Sequence, residues 1–469
     1  MVTEKMIEAM VTEIKERLGR FCGDSAELPL SAAHAASISQ GIQETLAAAG
    51  QAAFAQYLEA KEEARDVIVV GGETYRFKQL SNKSFVGLWG KQAVARKLFQ
   101  NGDDTKSHCP MDEAWGMSGE YLTVEVREAV AYASAHMTPE EASALFARSA
   151  LFAPHPTQMK KALRGVAECI APRKDAVDRG IRACEAAPED TRVLVASMDG
   201  VNVLLNEPGE KRGRPAERPK GDAREGGKTS YKNAMVGAIS FYGAVQEGEK
   251  CPERLDCRYV SHMPEDRAPS FKAKFEAELT DAVAQCPSGA TKVVLCDGAR
   301  GIWSYIDGNA NFDGYEKLID YWHTAEHLSL AAEALFGKGS REATQWYERY
   351  VKKLKEEQRG AQSVLDSMDY YAKARGLPPG RRKELKTQRT FFARNKHRMN
   401  YADFRRRGLP IGSGPVEAAC KSLVKARLCR SGMRWSKEGG QRILDLRTYA
   451  KSGRWDAFWS QYQKQKLAA

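Results

Sequence analysis

The sequence lacks the patterns that mark several large classes of protein. No apolar run approaches membrane-spanning length, and residues 1–20 combine charges with a helical apolar stripe, which is not the pattern of a signal peptide. The 10 cysteines are scattered without a C-x-x-C pair, so a zinc ribbon is not supported. An H-E-x-x-H zinc motif is also missing. We therefore expect a globular protein of the reducing cytoplasm.

Positive charge exceeds negative charge, and the excess is unevenly spread. The 469 residues include 72 Lys and Arg against 61 Asp and Glu, which gives a net charge of +11. Residues 378–410 are very basic. Such a chain suits a polyanionic partner such as DNA or RNA, and a solvated basic surface without a partner explains the charge about equally well.

Three acidic residues lie in settings typical of metal ligands. Asp199 follows the apolar run 193–198, Asp297 follows the apolar run 292–296, and Glu417 lies where a helix is predicted to begin. If the two runs are neighbouring parallel strands, the aspartates emerge side by side. The apolar stripe of the helix would pack on the sheet and bring Glu417 over them.

Each of these acids also has an ordinary structural interpretation. Asp-Gly pairs, which occur at 199–200 and 297–298, favour turns, and Glu417 is spaced for an ion pair with Lys421. Clustered carboxylates repel each other, however, and divalent cations remove that repulsion. Taken together, the acids predict a site for two cations about 4 Å apart, as in phosphodiester chemistry.

The pattern of apolar residues predicts an α/β protein with a mostly helical N-terminal region. A β-hairpin is expected at 67–77 and a further strand at 84–89. In the α/β part, strands are expected at 193–198, 201–205, 231–244, 255–261 and 292–296, with a helix at 268–285. The predicted segments are a helical region 1–65, a small β-containing module 66–120, a helical region 121–190, an α/β part 191–322, a helical part 323–408 and C-terminal helices 409–469.

Residues 138–164 predict two helices around a tight turn. Thr138-Pro139-Glu140-Glu141 is a strong helix start, and a second helix begins near Thr157 after a turn at Pro154. A polar and basic second helix is typical of a helix-turn-helix, and any small helical corner is the alternative. The residues predicted to contact DNA are Lys160, Lys161 and Arg164.

Two further basic segments are candidates for DNA contact. The first segment follows Glu417. Its cations could neutralise phosphates, and its indole could stack on an unpaired base. A solvated helix face with a buried indole is the alternative. The segment consists of Lys421, Lys425, Arg430, Arg434 and Trp435. The second contains Arg212 and Arg214 in Arg212-Gly213-Arg214-Pro215, which resembles an AT-hook for the minor groove, and a plain flexible insertion is the alternative.

Asp320 and His323 end a predicted strand that follows the strand bearing Asp297. We expect both at the rim of the metal site in accessory roles, or else as a buried pair that fixes the turn from strand to helix. His323 and His327 lie four residues apart and have the spacing of transition-metal ligands, but we do not expect zinc there.

Several of these motifs together resemble bacterial DDE transposases of the Kra-type insertion-sequence family. They are Met198-Asp199-Gly200, Cys296-Asp297-Gly298-Ala299, Ile319-Asp320-Tyr321-Trp322-His323 with Glu326-His327-Leu328, and Leu409-Pro410-Ile411-Gly412-Ser413-Gly414-Pro415-Val416-Glu417-Ala418-Ala419-Cys420-Lys421. The resemblance covers roughly residues 110–460, and the Asp320-x-x-His323 spacing also resembles the Mutator-like superfamily.

This resemblance implies an RNase H-like catalytic core, formed by 191–322 and 409–469, with 323–408 as an all-helical insertion. It implies that Asp199, Asp297 and Glu417 hold two Mg²⁺ ions, with Mn²⁺ as a substitute, for DNA cleavage and strand transfer. The expected partners are double-stranded DNA, both transposon ends and target, and further copies of the chain in a homodimer or larger assembly. The expected location is the bacterial cytoplasm, near the nucleoid.

Two other functions remain open from the sequence. A domesticated, non-catalytic DNA-binding regulator would keep the DNA surfaces without needing the acids, and the presence of all three acids favours the enzyme. An RNase H-like nuclease or junction resolvase without strand transfer is the other alternative, but it needs no long helical insertion.

Overall fold

The computed structural model describes residues 2–25, 29–102, 105–206, 231–249 and 251–468. Contacts divide the chain into two compact units, the first combining residues 1–177 with 455–469 and the second comprising residues 178–454. In the described residues, no helix has the length and apolar character that crossing a bilayer requires.

The first unit begins with two long helices and a small antiparallel sheet. Both glycines of the turn Gly71-Gly72 have positive φ, 57° and 84°, which suits a two-residue hairpin turn. The hairpin predicted at 67–77 is therefore confirmed, whereas Leu88 and Trp89 belong to the next turn rather than to a strand. The elements are α1 (Val2–Ser25), α2 (Ala32–Ala60), β1 (Val67–Val70), β2 (Glu73–Gly87), β3 (Gly90–Asn101) and β4 (Ser107–His108), with the strands paired in chain order.

Helices complete the first unit. Thr138 and Glu141 form the predicted capping box at the start of α5, and His155 forms a second one with Gln158 at the start of α6. The helices are α3 (Pro110–Ala114), α4 (Val124–His136), α5 (Pro139–Ser149), α6 (Pro156–Ile170) and the C-terminal helix α18 (Trp455–Ala468), while α7 (Lys174–Ala183) begins in the first unit and ends in the second.

The position of α18 corrects one grouping made from the sequence. Residues 455–468 belong to the first unit, not with the rest of 409–469. Arg127, which is buried, donates a hydrogen bond of 2.7 Å from Nη1 to the Tyr462 hydroxyl of α18. Lys466 of the same helix forms an ion pair of 3.1 Å with Glu120. Contacts between residues so distant in the chain leave no local sequence pattern.

The second unit is built on a five-stranded mixed sheet with the order β7-β6-β5-β8-β9. β5, β6 and β7 pair antiparallel, whereas β5, β8 and β9 pair parallel. The runs 193–198 and 201–205 are not separate strands, because Asp199 and Gly200 pair with Val236 and Met235 and keep the strand continuous. The strands are β5 (Val193–Leu204), β6 (Tyr231–Tyr242), β7 (Arg254–His262), β8 (Thr291–Cys296) and β9 (Glu316–Ile319).

Helices cover both faces of this sheet, and residues 321–406 contain helices without any strand, in agreement with the helical pattern predicted there. The helix after Glu417 contains a π-helical segment at Cys420–Lys425, a feature that is frequent at functional sites. The helices are α8 (Pro269–Gln285), α9 (Arg300–Asp307), α10 (Tyr321–Phe336), α11 (Arg341–Glu356), α12 (Gly360–Ala374), α13 (Pro379–Asn395), α14 (Tyr401–Arg406), α15 (Gly414–Ala419), α16 (Ala426–Leu428) and α17 (Lys437–Lys451).

Side chains along β5 alternate between the two faces of the sheet. Leu194 and Ala196 pack under α8 and α9 on one face. On the other face, Val195 packs against helices α10–α14, and Val201 packs against the C-terminal helices α15–α17. Asp199 lies on this second face, between Val195 and Val201. The sheet therefore carries Asp199 to the place where the two groups of helices meet.

Candidate functional site

Asp199 is half-buried in the middle of β5 rather than at a strand end. Its Oδ1 accepts a hydrogen bond of 2.6 Å from the Gly200 N–H, and its Oδ2 accepts one of 3.4 Å from the Cys420 thiol. The alternative of an Asp-Gly turn is wrong here, because both residues pair within the sheet. The carboxylate is thus fixed on the sheet and bonded to the C-terminal helices.

Asp297 directly follows β8, the parallel neighbour of β5. Its Oδ1 accepts a hydrogen bond of 3.0 Å from the Ala299 N–H. Burial is the largest cause of a raised pKa for the Asp297 carboxyl, and the negative charges of Asp199 and Asp320 raise that pKa further. Placing these acids near one another therefore has an electrostatic cost.

Glu417 lies in the first turn of α15 and is exposed. The helix is held to the sheet by Val416, which is 1% exposed and packs in the same cluster as Val201. Glu417 and Lys421, both within the described ranges, do not form the ion pair that was the structural alternative. The Glu417 carboxylate is therefore available to a ligand.

Asp199, Asp297 and Glu417, referred to below as the three cavity carboxylates, line a single cavity of about 310 Å³. They come from a central strand, the end of its parallel neighbour and the start of a helix packed on the sheet. The other residues that line this cavity are Met198, Trp322, His323, Glu326, Ser413, Val416, Cys420, Lys421 and Lys425.

The donor chemistry of this cavity fits cations such as Mg²⁺, which prefer carboxylate oxygens and retain several waters. Within the described chain, none of the three cavity carboxylates is in an ion pair with a Lys, Arg or His. At the same time, no three His, Cys, Asp or Glu side chains among the described residues already form a group that would hold a metal ion. The cavity thus offers suitable ligands that must turn inward before they share an ion.

Asp320 is fully buried, and its carboxylate bonds to backbone rather than facing the cavity. Its Oδ1 caps α10 by accepting a hydrogen bond of 2.7 Å from the His323 N–H. Its Oδ2 accepts a hydrogen bond from the Ser413 N–H, in the turn that precedes α15. Because Glu417 lies one helical turn beyond Ser413, Asp320 connects the start of α10 to the start of the helix that bears Glu417.

His323 lines the cavity, and its accessory role stays a prediction. Its Nδ1 is 3.6 Å from Glu326 Oε2, and its ring meets the His327 ring nearly at right angles, with the centroids 4.9 Å apart. Burial lowers the pKa of His327, which bonds through Nδ1 to Gln388 Oε1 at 2.6 Å and stacks on the Phe391 ring. His327 is therefore packed against α13 instead of sharing a metal with His323.

Sequence reasoning missed a contact between α13 and the residue after Asp297. A Cβ atom added at Gly298 would lie 2.3 Å from the Phe391 ring of α13. The glycine of the Asp297-Gly298 pair is therefore required by the close approach of this ring. No local pattern signals the contact, because it depends on how α13 packs against the sheet.

The basic segment after Glu417 divides into two parts. Lys421 and Lys425 line the same cavity as the three cavity carboxylates, and their positive charges suit a phosphate. Arg430 and Arg434 are exposed but do not line the cavity. Trp435 is corrected to the structural alternative, because its half-buried ring packs against the core and its Nε1–H donates a hydrogen bond of 3.0 Å to the Leu428 carbonyl.

The predicted DNA-contacting helix α6 belongs to the first unit. Its three cations Lys160, Lys161 and Arg164 are exposed. Lys160 forms an ion pair of 2.8 Å with Glu140, and Lys161 donates to the Gly119 carbonyl at 3.2 Å. The two-helix arrangement was predicted correctly, and its contact with DNA stays a prediction. Arg212 and Arg214 lie outside the described residues.

Comparison with known proteins identifies no family. No protein-family model matches the chain, and no curated protein matches it. Among solved structures, the chain has a likeness to the Drosophila P element transposase strand transfer complex, with 10% sequence identity and a TM-score of 0.23 over 72% of this chain and 80% of that one. A TM-score this low supports neither a shared fold nor a shared function.

Proposed function

We propose that this chain is a DNA transposase of the DDE type, in which Asp199, Asp297 and Glu417 hold two Mg²⁺ ions, with Mn²⁺ as a substitute. The observation that carries the proposal is that three carboxylates from separate elements line one cavity without an ion pair to any cation of the described chain. Bound divalent cations neutralise a phosphodiester and stabilise its attacking and leaving oxygens. The Kra-type family remains part of the proposal, on the motifs quoted above.

The sheet and its helices support the RNase H-like part of this proposal. Three antiparallel strands continue into two parallel ones, Asp199 lies on the central strand, and Asp297 directly follows the parallel neighbour of that strand. The elements between Asp297 and Glu417 include the helices α10–α14, which the resemblance expects as an insertion. Lys421 and Lys425 at the cavity would hold the phosphate of the DNA strand.

The reaction has two steps in the same cavity. Water attacks a phosphorus atom at the transposon end, a P–O bond to the 3′ oxygen breaks, and a free 3′ hydroxyl results. That hydroxyl then attacks a phosphorus atom of target DNA, and the target's own 3′ oxygen leaves. The chain's residues orient the strands for both displacements, while the first unit with Lys160, Lys161 and Arg164, together with Arg212 and Arg214, binds the ends.

The direct test uses labelled duplexes taken from the DNA that flanks the gene, incubated with Mg²⁺ or Mn²⁺. We expect nicked and joined products from the wild type. Asp199→Asn, Asp297→Asn and Glu417→Gln should each lower cleavage by roughly a hundredfold or more, because metal-supplied charge stabilisation contributes several kcal/mol. Asp313→Asn, which removes an exposed carboxylate away from the cavity, is the matched control.

The outcomes separate the alternatives. Binding without cleavage by the wild type would indicate the non-catalytic regulator, and cleavage without joined products would indicate a nuclease or resolvase. Normal cleavage by any one of the three cavity variants would remove that residue from the ligand set. Size-exclusion chromatography with and without DNA ends tests the homodimer or larger assembly.

End recognition has its own test. Replacing Lys160, Lys161 and Arg164 with Ala should weaken binding to the end duplexes and flatten its dependence on salt, since each lost phosphate contact lowers the slope by about 0.9. Arg164 should account for the largest single effect, because Lys160 is already paired with Glu140. The control replaces Lys5, Lys15 and Arg17 of α1, and an unchanged salt slope in the α6 variant would assign recognition to other residues.

A further inference from the structure

One large aromatic side chain of the cavity is left open to solvent. Trp322 is 63% exposed, whereas Trp303 is 4% and Trp346 is 5% exposed in the same unit. Lys355 Nζ lies 6.0 Å from the Trp322 ring centroid, at the outer limit of a cation–π contact, and does not bury the ring. Burial of an indole is strongly favourable. An indole face left open in a cavity is therefore a surface that a ligand can cover with a gain in free energy.

The exposed ring has support on one edge. Trp322 lies in the first turn of α10, and a Cβ atom added at Gly412 would lie 3.3 Å from both Cδ1 and Nε1 of the ring. The Tyr321 ring meets it edge-on with the centroids 5.2 Å apart. Gly412 is adjacent to Ser413, which Asp320 bonds, so the ring edge abuts an anchored turn. The indole is thus held in place while much of its surface stays open.

The surroundings of the ring define what would cover it. Trp322 lines the cavity together with the three cavity carboxylates and with Lys421 and Lys425. An apolar flat surface beside cations suits a ligand with a flat aromatic part joined to a phosphate. A nucleobase has this character, and stacking on an aromatic side chain tolerates any base because every base has a π face.

We propose that Trp322 is a stacking platform for an unpaired nucleobase next to the phosphate that the cavity receives. The inference rests on the proposed function and adds to it the form of the substrate. In an intact duplex, base faces are covered by neighbouring bases, so stacking on Trp322 requires one base to leave the helix. The DNA bound for reaction is therefore locally opened at the cavity. Trp435 does not offer this platform, because its ring packs against the core.

The test measures binding, so it does not depend on cleavage. The probes are a short fluorescent duplex with one unpaired adenine and the same duplex with an abasic site in its place. Wild-type protein, with Ca²⁺ in place of Mg²⁺, should bind the adenine probe roughly five- to a hundredfold more tightly. Trp322→Leu should abolish this preference, and Trp322→Phe, which keeps a ring, should retain most of it.

Two further measurements make the result decisive. Tyr370→Ala removes an aromatic side chain of similar exposure, 66%, from outside the cavity and should leave the preference unchanged. Thermal melting should show similar stability for the Leu and Phe variants. The stacking role would be overturned if the Leu and Phe variants preferred the adenine probe over the abasic probe equally. It would also be overturned if the wild type showed no such preference. A wild type that keeps the preference but cleaves no DNA would instead overturn the transposase function alone.

Discussion

In the second unit, Glu185 and Glu278 both form ion pairs with the guanidinium of Arg454. The three cavity carboxylates, in contrast, line one cavity and form no ion pair with any described residue. Arg454 bonds to Glu185 through Nε and Nη2 at 2.5 and 2.6 Å, and to Glu278 through Nη1 at 2.9 Å. Although burial lowers the pKa of Arg454, the bonds to both carboxylates raise it overall. We call Arg454, Glu185 and Glu278 the buried ion cluster.

The difference separates acids that serve the fold from acids that are available to a ligand. Two guanidiniums balance its two carboxylates, because Arg258 Nε also lies 3.5 Å from Glu185 Oε2, so the buried ion cluster needs nothing from solution. The three cavity carboxylates have no cation partner in the described chain, and repulsion from Asp199 and Asp320 adds to the larger effect of burial in raising the pKa of Asp297. A fold tolerates such repulsion where a function uses it, and here the cavity position argues for a cation-dependent function.

The largest effect expected from this comparison is the loss of Arg454. Arg454→Met leaves the buried Glu278 carboxylate without an ion-pair partner and leaves Glu185 paired only with Arg258. It should lower the free energy of unfolding by about 3–5 kcal/mol, measured by urea denaturation. The matched control is Arg389→Met, because Arg389 forms a two-bonded ion pair with Asp369 at the surface. That substitution should cost about 1 kcal/mol or less.

A compensated variant sharpens the result. Adding Glu278→Gln to Arg454→Met removes the unpaired charge and should recover part of the lost stability. If Arg454→Met costs no more than Arg389→Met, the buried ion cluster does not contribute in the way that its geometry indicates.

The sequence predicted much of the sheet and the three cavity carboxylates, because strands and their order along the chain follow from local apolar runs. It divided β5 at Asp199-Gly200, since local turn propensity at Asp-Gly opposes a strand that only its partner β6 maintains. It did not predict the exposure of Trp322, the packing of Trp435 or the contact between Gly298 and Phe391. These features depend on which distant helices cover the sheet.

Asp320 combines features of the acids that serve the fold and of those that are available to a ligand. It lies near the cavity, but its carboxylate is hydrogen-bonded to backbone N–H groups. Asp320→Ala leaves the His323 and Ser413 N–H groups without their acceptor and should cost about 1–3 kcal/mol in urea denaturation. Cleavage by the folded fraction should also fall, because the turn before Glu417 loses its anchor. Glu265→Ala, which removes another carboxylate bonded to backbone at a helix start, is the control for stability alone.

If Asp320→Ala lowers stability and the folded protein cleaves at the wild-type rate, Asp320 supports the fold without positioning Glu417. An unchanged stability would contradict the hydrogen bonds themselves.

The smallest expected effect on stability concerns Asp297. Because burial and the charges of Asp199 and Asp320 raise its pKa, the ionised carboxylate destabilises the metal-free fold at neutral pH. Asp297→Asn removes that charge and should raise the melting temperature in EDTA, by less than Asp320→Ala lowers it.

Mg²⁺ should raise the melting temperature of the wild type, since a ligand that binds the native state stabilises it, and should affect Asp297→Asn much less. Asp313→Asn should respond to Mg²⁺ as the wild type does. Two results together would contradict this prediction: Mg²⁺ and Mn²⁺ leave the wild-type melting temperature unchanged, and Asp297→Asn is no more stable than the wild type in EDTA. The three cavity carboxylates would then be acids that need no cation.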